Sequence, residues 1–236
     1  MLTLVHMILG TKGGVGKTTL ACHLTDYLKT HQVPFALYDG DEENHSLSRF
    51  FSEANAINLR NVRSIDTAVS EAESGRHKVV LVDLRAGSGS EVLEWFEDVP
   101  FDELRVEGIG FVGWGCVTTD PDSVTTLLHW ADVLKERISY VVVRNEKDGP
   151  LGEQLDGSMG AIEFLKRNRP PVLTIPRFHP ELMAELNRLN FSMGKVLSLE
   201  QKVPGLNDTM MRRRLLRYQG KIFEQFDKIR ELIIPA

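Results

Sequence analysis

Two cysteines in 236 residues leave no room for a disulfide framework. Cys22 and Cys116 belong to no CxxC pair and share no ligand-like spacing with histidine, which argues against a zinc or iron–sulfur site. A reducing, cytoplasmic setting is the expectation. Long apolar runs are also missing: none approaches the roughly 18 residues that a spanning helix needs. Met1–Leu9 is apolar, but no basic stretch precedes it and it runs straight into glycine, so it reads as a buried strand rather than a leader. Positive charge is not in excess. With 28 Lys and Arg against 33 Asp and Glu the net charge is −5, so any nucleic-acid contact must come from a local basic patch. The seven histidines are scattered without metal spacing, and Trp95, Trp114 and Trp130 read as core or interface aromatics. No repeat, low-complexity tract or linker divides the chain, and its length suits one α/β domain over 1–236.

What is present is an alternation of short apolar runs with helical patterns, the mark of a mostly parallel sheet covered on both faces. Strands are expected at Thr3–Leu9, Pro34–Tyr38, Lys78–Val82, Gly108–Val117, Ile138–Val143 and Pro171–Ile175. Helices are expected at Lys17–His31, Ser46–Phe51, Ile65–Glu73, Asp122–Arg137, Gly160–Asn168 and Pro180–Leu189. Asp120-Pro121-Asp122 reads as a helix start, and Asn145–Gly160 as a long polar surface loop.

Between the first strand and the first helix lies Gly10-Thr11-Lys12-Gly13-Gly14-Val15-Gly16-Lys17-Thr18-Thr19. Glycines there let successive N–H groups turn inward on phosphate oxygens, and the helix N-terminus adds partial positive charge. Lys17 is placed to meet the β- and γ-phosphates, and the Thr18 hydroxyl to ligate Mg²⁺. Thr11 stands where the standard phosphate-loop pattern has its first glycine. The form KGGxGK[ST] fits throughout, and it resembles the ParA/MinD superfamily of P-loop ATPases. That resemblance implies a doubly wound, mostly parallel P-loop NTPase fold and a Mg-ATP site built on Gly13, Gly14, Val15, Gly16, Lys17, Thr18 and Thr19. It also implies ATP-dependent homodimerisation, with Lys12 as the lysine that crosses to the partner's phosphates.

Two further strands end in carboxylates, where ligands of open α/β sheets gather. Asp39-Gly40-Asp41-Glu42 resembles the family's DxDP segment, with Glu42 in place of proline. By that match Asp39 supports the site, while Asp41 lies near Mg²⁺ and positions the attacking water. Val79-Val80-Leu81-Val82-Asp83 is a Walker B pattern, in which Asp83 would hold the metal. Taken singly, each aspartate could equally be a cap or a turn residue. Arg85 stands where relatives often carry proline; contact with the γ-phosphate and a solvated loop position are both open. Asn145 and Pro176, at the ends of later strands, resemble the residues that border adenine.

From Asp208 to about Ile233, Met211, Leu215, Tyr218, Ile222, Phe226, Ile229 and Ile233 recur at spacings of three and four, which makes a buried helical stripe capped by Asn207 or Asp208. Gly220 interrupts the pattern. Arg213, Arg214, Arg217 and Lys221, beside Arg212, lie off that stripe with no acidic residue among them. They could contact DNA phosphates without reading sequence, and they resemble the region through which ParA-type proteins bind DNA. A solvated face, or ion pairs within the fold, is the competing account. The mixed charge of 223–234 argues against a membrane-binding helix of the MinD kind.

Short length, Ala86-Gly87-Ser88-Gly89-Ser90 after Asp83, Gly149-Pro150 in the long loop and the arginine-rich last helix resemble the plasmid ParA-like ATPases of conjugation and mobilisation, the TraL/MobD type. The function expected is a slowly hydrolysing Mg-ATP switch in DNA partition, conjugative transfer or mobilisation, with a stimulating or cargo protein as partner. A membrane-cycling positioning ATPase and a small-molecule ATP-dependent enzyme of the same fold are the alternatives, and Lys12 argues against the second.

Overall fold

The computed structural model describes residues 2–151, 155–200, 206 and 208–236, with Ser90 as backbone only. Strands β1 (Thr3–Leu9), β2 (Phe35–Asp39), β3 (Asn55–Ala56), β4 (Val79–Asp83), β5 (Ile109–Val117), β6 (Ser139–Asn145) and β7 (Val172–Ile175) form one sheet. Their order is β3-β2-β4-β1-β5-β6-β7, and every pairing is parallel. Parallel strands need crossovers, and helices supply them: α1 (Lys17–Thr30), α2 (Val62–Glu73), α3 (Gly89–Asp98), α4 (Phe101–Val106), α5 (Pro121–Leu134) and α6 (Met159–Asn168). After β7 come α7 (Pro180–Arg188), α8 (Met193–Ser198), α9 (Thr209–Asp227) and α10 (Arg230–Ile233).

The two-residue side-chain period of a strand divides the core into two layers. Leu4 and Ile8 of β1 join Leu37, Leu81, Trp114 and Val141 under α1, α8 and α9. Val5, Met7 and Leu9 face the other way, with Val80, Val82 and Val142, under α2 to α6. All three tryptophans are buried in these layers. Inside the first layer Trp114 Nε1 donates to His6 Nδ1 at 2.9 Å. An indole only donates, so His6 is the Nε2–H tautomer and gives that proton to the Ile233 carbonyl at 3.0 Å. That bond ties α10 to the central strand.

The six expected strands are present within one or two residues, but Ser46–Phe51 is not a helix. It is a run of hydrogen-bonded turns, held by Phe50 N to Leu47 O at 3.0 Å and by two bonds into Asp39. Strand β3 and helices α3, α4 and α8 were not expected. The last helix runs through Gly220 and breaks instead at Lys228–Ile229. Asp208 caps it, accepting from Met211 N at 2.9 Å, while Asn207 lies outside the described residues. Among the described residues no helix is long and apolar enough to cross a membrane.

Candidate nucleotide-binding site

Strand β1 sits between β4 and β5, where the winding of the sheet reverses, so the loop after it opens into the crevice that such sheets offer to ligands. Gly14 and Gly16 take φ values of 74° and 96°, left-handed conformations that disfavour a side chain. A Cβ on Gly14 would meet nothing within 4 Å, whereas one on Gly16 would lie 2.2 Å from Asn145 Nδ2. Gly16 is the N-cap of α1 and no side chain caps it, which leaves the first-turn N–H groups directed into the crevice. Backbone arranged in this way is suited to cradle a phosphate.

Lys17, 7% exposed, donates to the Lys12 carbonyl at 2.8 Å across the loop. Burial pushes its ammonium below the ordinary lysine value, and the charges of Asp83 and Asp41 oppose that. Lys12 points outward instead. Its Nζ lies 2.9 Å from Asp120 Oδ2 and 2.9 Å from Asp122 Oδ2 at the start of α5. The hydrogen bonds to Asp122 and Asp120 hold it charged above the ordinary range.

Asp39, 1% exposed, accepts from Asp41 N at 3.0 Å, Leu47 N at 2.9 Å and Ser48 N at 2.8 Å. Its work in this structure is to fix the loop 40–48 rather than to face the crevice. That loop presents Asp41, whose carboxylate accepts from Ser46 Oγ at 2.5 Å and from Asn44 N and Nδ2 at 3.2 Å and 3.1 Å. Burial works against ionising Asp41, yet the bonds from Ser46 and Asn44 and the charge of Arg85 hold it below the ordinary carboxylate value.

Asp83 is 2% exposed at the end of β4. Burial pushes its carboxyl up to about 7; the hydrogen bond from Thr18 opposes that, and the neighbouring charge of Asp39 adds to it. Its Oδ1 is buried without a partner. An orphaned carboxylate oxygen beside a threonine hydroxyl is a hard, all-oxygen corner that fits Mg²⁺. Among the described residues no set of three or more His, Cys, Asp or Glu could hold a metal unaided. Thr18 and Asp83 would hold the ion, with Asp41 alongside.

Thr19, Ser46, Arg85 and Lys147 line the same 380 Å³ crevice with Gly14, Gly16, Lys17, Thr18, Asp41 and Asp83. Ser46 and Lys147 were missed in the sequence, since neither falls in a spaced motif. Asn145 is 5% exposed and donates to the Val15 carbonyl at 2.8 Å, so its side chain braces the phosphate loop from β6. The Pro176 carbonyl accepts from Tyr218 OH at 2.7 Å, which ties the loop after β7 to α9.

Residues 6–228, which contain the phosphate loop and these carboxylates, match a family model described as the CobQ/CobB/MinD/ParA nucleotide binding domain. The chain belongs to this family. Among solved structures it is similar to the septum site-determining protein MinD complexed with Mg-ADP from Pyrococcus horikoshii, with a TM-score of 0.57 and 14% identity over 100% of both chains. The MinC:MinD cell division complex of Aquifex aeolicus gives 0.52 and 16% over 94% of this chain and 96% of that one. A ParA family ATPase from Chlorobium tepidum gives 0.51 and 13% over 89% and 98%. At these identities the likeness is one of fold. No curated protein sequence matches the chain.

The arginines of α9 lie away from this crevice. Arg213, Arg214, Arg217 and Lys221 are exposed, with Met210 and Leu216 each 54% exposed among them. Among the described residues no salt bridge engages any of the four, so they are a free basic stripe rather than part of an internal ion-pair network.

Proposed function

We propose that this protein is a Mg-ATP-dependent dimerisation switch that hydrolyses ATP slowly and works on DNA in the cytoplasm, in partition, conjugative transfer or mobilisation. The observation that carries the reading is a phosphate loop with two lysines of opposite disposition. Lys17 is buried against the loop, where it serves the nucleotide of its own chain. Lys12 is 34% exposed in its side chain and is tethered only by two aspartates on the surface. Such a lysine is free to exchange carboxylates for the phosphates of a second copy, so ATP would favour the dimer over the monomer.

For hydrolysis, Gly14, Gly16 and the first turn of α1 hold the phosphates, and Lys17 neutralises charge on the terminal ones. Asp41, kept ionised by Ser46 and Asn44, orients the attacking water. Thr18 and Asp83 would hold Mg²⁺, which would supply further charge neutralisation when bound. Turnover is slow in this reading, because Asp41 is a weak base and serves chiefly to orient.

The unpaired stripe of α9 supports the DNA part, since phosphate contacts need cations and no sequence readout. The test is binding to a nonspecific duplex with ATP, a slowly hydrolysed analogue or ADP, across a salt series. Salt-sensitive binding that favours the ATP state and fails in Arg214→Ala/Arg217→Ala is expected. No binding in any state would overturn the DNA reading. Met210 and Leu216 are the one feature that favours a lipid surface, and ATP-dependent retention on anionic vesicles would replace DNA with membrane.

A further inference from the structure

Arg85 lines the nucleotide crevice and its charge helps to keep Asp41 ionised, yet it has no role toward the nucleotide in the reading given so far. It follows Asp83 by two residues, and both ends of its loop are fixed. Gly87 N donates to the Thr11 carbonyl at 2.9 Å, which staples the loop to the phosphate loop. Ser88 Oγ donates to the Arg85 carbonyl at 2.9 Å, which closes the turn that leads into α3. The side chain is 20% exposed and lines the crevice with Lys17, Thr18, Asp41, Ser46 and Asp83. A solvated loop arginine would not be held this way.

Its hydrogen-bonding capacity is largely unused. Of the five N–H donors of a guanidinium, Nη1 reaches Glu43 Oε1 at 3.3 Å, and Nε is buried with no partner. Glu43 is 75% exposed, so it is a long, solvent-screened partner. A buried, unpaired donor on a cation costs stability unless something anionic fills its place. The side chain lines a crevice shaped for phosphate, where a phosphoryl oxygen is the anion at hand.

We propose that Arg85 is a catalytic arginine supplied in cis: its guanidinium leaves Glu43 and contacts the phosphoryl group being transferred. This rests on the ATPase reading given above. In hydrolysis the water oxygen bonds to the γ-phosphorus and the bond from phosphorus to the bridging oxygen breaks. The electron pair leaves with ADP, and the water proton departs with orthophosphate. Arg85 keeps its proton throughout. It stabilises charge on the equatorial oxygens, which a planar fork suits better than an ammonium does. Glu43 is the resting partner that it gives up.

The test compares wild type with Arg85→Ala, Arg85→Lys and Glu43→Gln. Three readouts are needed: single-turnover ATP hydrolysis, affinity for ATP and for ADP, and affinity for ADP with aluminium fluoride. Arg85→Ala is expected to slow hydrolysis about 100-fold or more and to abolish the extra affinity conferred by aluminium fluoride. ADP affinity should hold and melting temperature should not fall, which a structural role would not allow. Arg85→Lys should recover little, and Glu43→Gln should hydrolyse at least as fast as wild type. Equal hydrolysis and equal aluminium-fluoride enhancement in wild type and Arg85→Ala would overturn the proposal while leaving the ATPase reading standing. A wild type that binds nucleotide, shows neither hydrolysis nor enhancement by aluminium fluoride, and loses no ATP-over-ADP preference in Arg85→Ala would overturn it as well. A wild type that binds no nucleotide would overturn both.

Discussion

Asp39 is the residue on which the position of Asp41 depends, and replacing it by asparagine tests that dependence with almost no change of shape. Its carboxylate is 1% exposed and accepts three backbone N–H bonds, two on one oxygen from Leu47 and Ser48 and one on the other from Asp41. An amide can keep its oxygen toward Leu47 and Ser48, but its NH₂ then faces the Asp41 N–H, donor against donor. One hydrogen bond to a charged group is lost, about 1.5–3 kcal/mol, and a donor is left facing a donor. Removing the charge also relieves repulsion with Asp83, which offsets part of that. The net expectation for Asp39→Asn is a loss of about 2–3 kcal/mol, or roughly 4–12 °C in melting temperature for a chain of this length. Asp39→Ala strands all three donors at about 1–3 kcal/mol each, which approaches the whole stability of an ordinary domain. Thermal melts followed by circular dichroism give the stability, and Mg-dependent nucleotide titration reports whether Asp41 has moved. An asparagine variant that melts within about 1 °C of wild type and binds Mg-nucleotide as tightly would refute the reasoning.

Gly16→Ala forces a left-handed alanine and sets a Cβ 2.2 Å from Asn145 Nδ2, so it should destabilise by at least about 1–2 kcal/mol and abolish nucleotide binding, as calorimetric titration would read. Lys17→Ala removes a desolvated ammonium 7% exposed; it should weaken ATP and ADP binding about 10–100-fold while melting no lower than wild type. Burial lowers His6 to about 4, with the bond to Ile233 opposing. A depressed histidine binds fewer protons folded than unfolded, so its contribution is whole above about 6.5 and is lost as pH falls toward 4, up to about 3 kcal/mol. His23, likewise lowered to about 4 by burial, steepens the same slope, whereas Asp26, raised to about 6 chiefly by burial, works against it. Denaturation of wild type and His6→Phe across this range isolates the His6 share: the variant should show the shallower acid limb.

The parallel character of the sheet and the phosphate loop were legible because each rests on a local pattern. Glycines at Gly14 and Gly16 announce left-handed backbone, and apolar runs of strand length announce buried parallel strands. The stripe Met211, Leu215, Tyr218, Ile222, Phe226, Ile229 and Ile233 was equally plain, and all of it is buried except Ile229, which is half-buried. What sequence could not carry was long-range. Asp39 read as a residue that supports the site, but the means of support was hidden: one oxygen holds Asp41 N and the other the turn at Leu47–Ser48, which also explains why 46–51 forms no helix. Asn145 read as a base contact, and nothing in the sequence signals that its amide also braces Val15. Strand β3 is two exposed residues with no pattern to find, and α3 begins in a glycine–serine run that reads as loop. The helix passes Gly220, where a Cβ would meet nothing within 4 Å, at only the modest cost of a glycine, and it breaks after Asp227.

The most direct test of the central claim is molecular mass in solution, by sedimentation equilibrium with Mg²⁺ and ADP, ATP or a slowly hydrolysed analogue, for wild type and Lys12→Ala. Monomer with ADP, dimer with ATP or the analogue, and monomer in every state for Lys12→Ala is the predicted result. A wild-type mass that does not respond to nucleotide, or a Lys12→Ala variant that dimerises as wild type does, would contradict it.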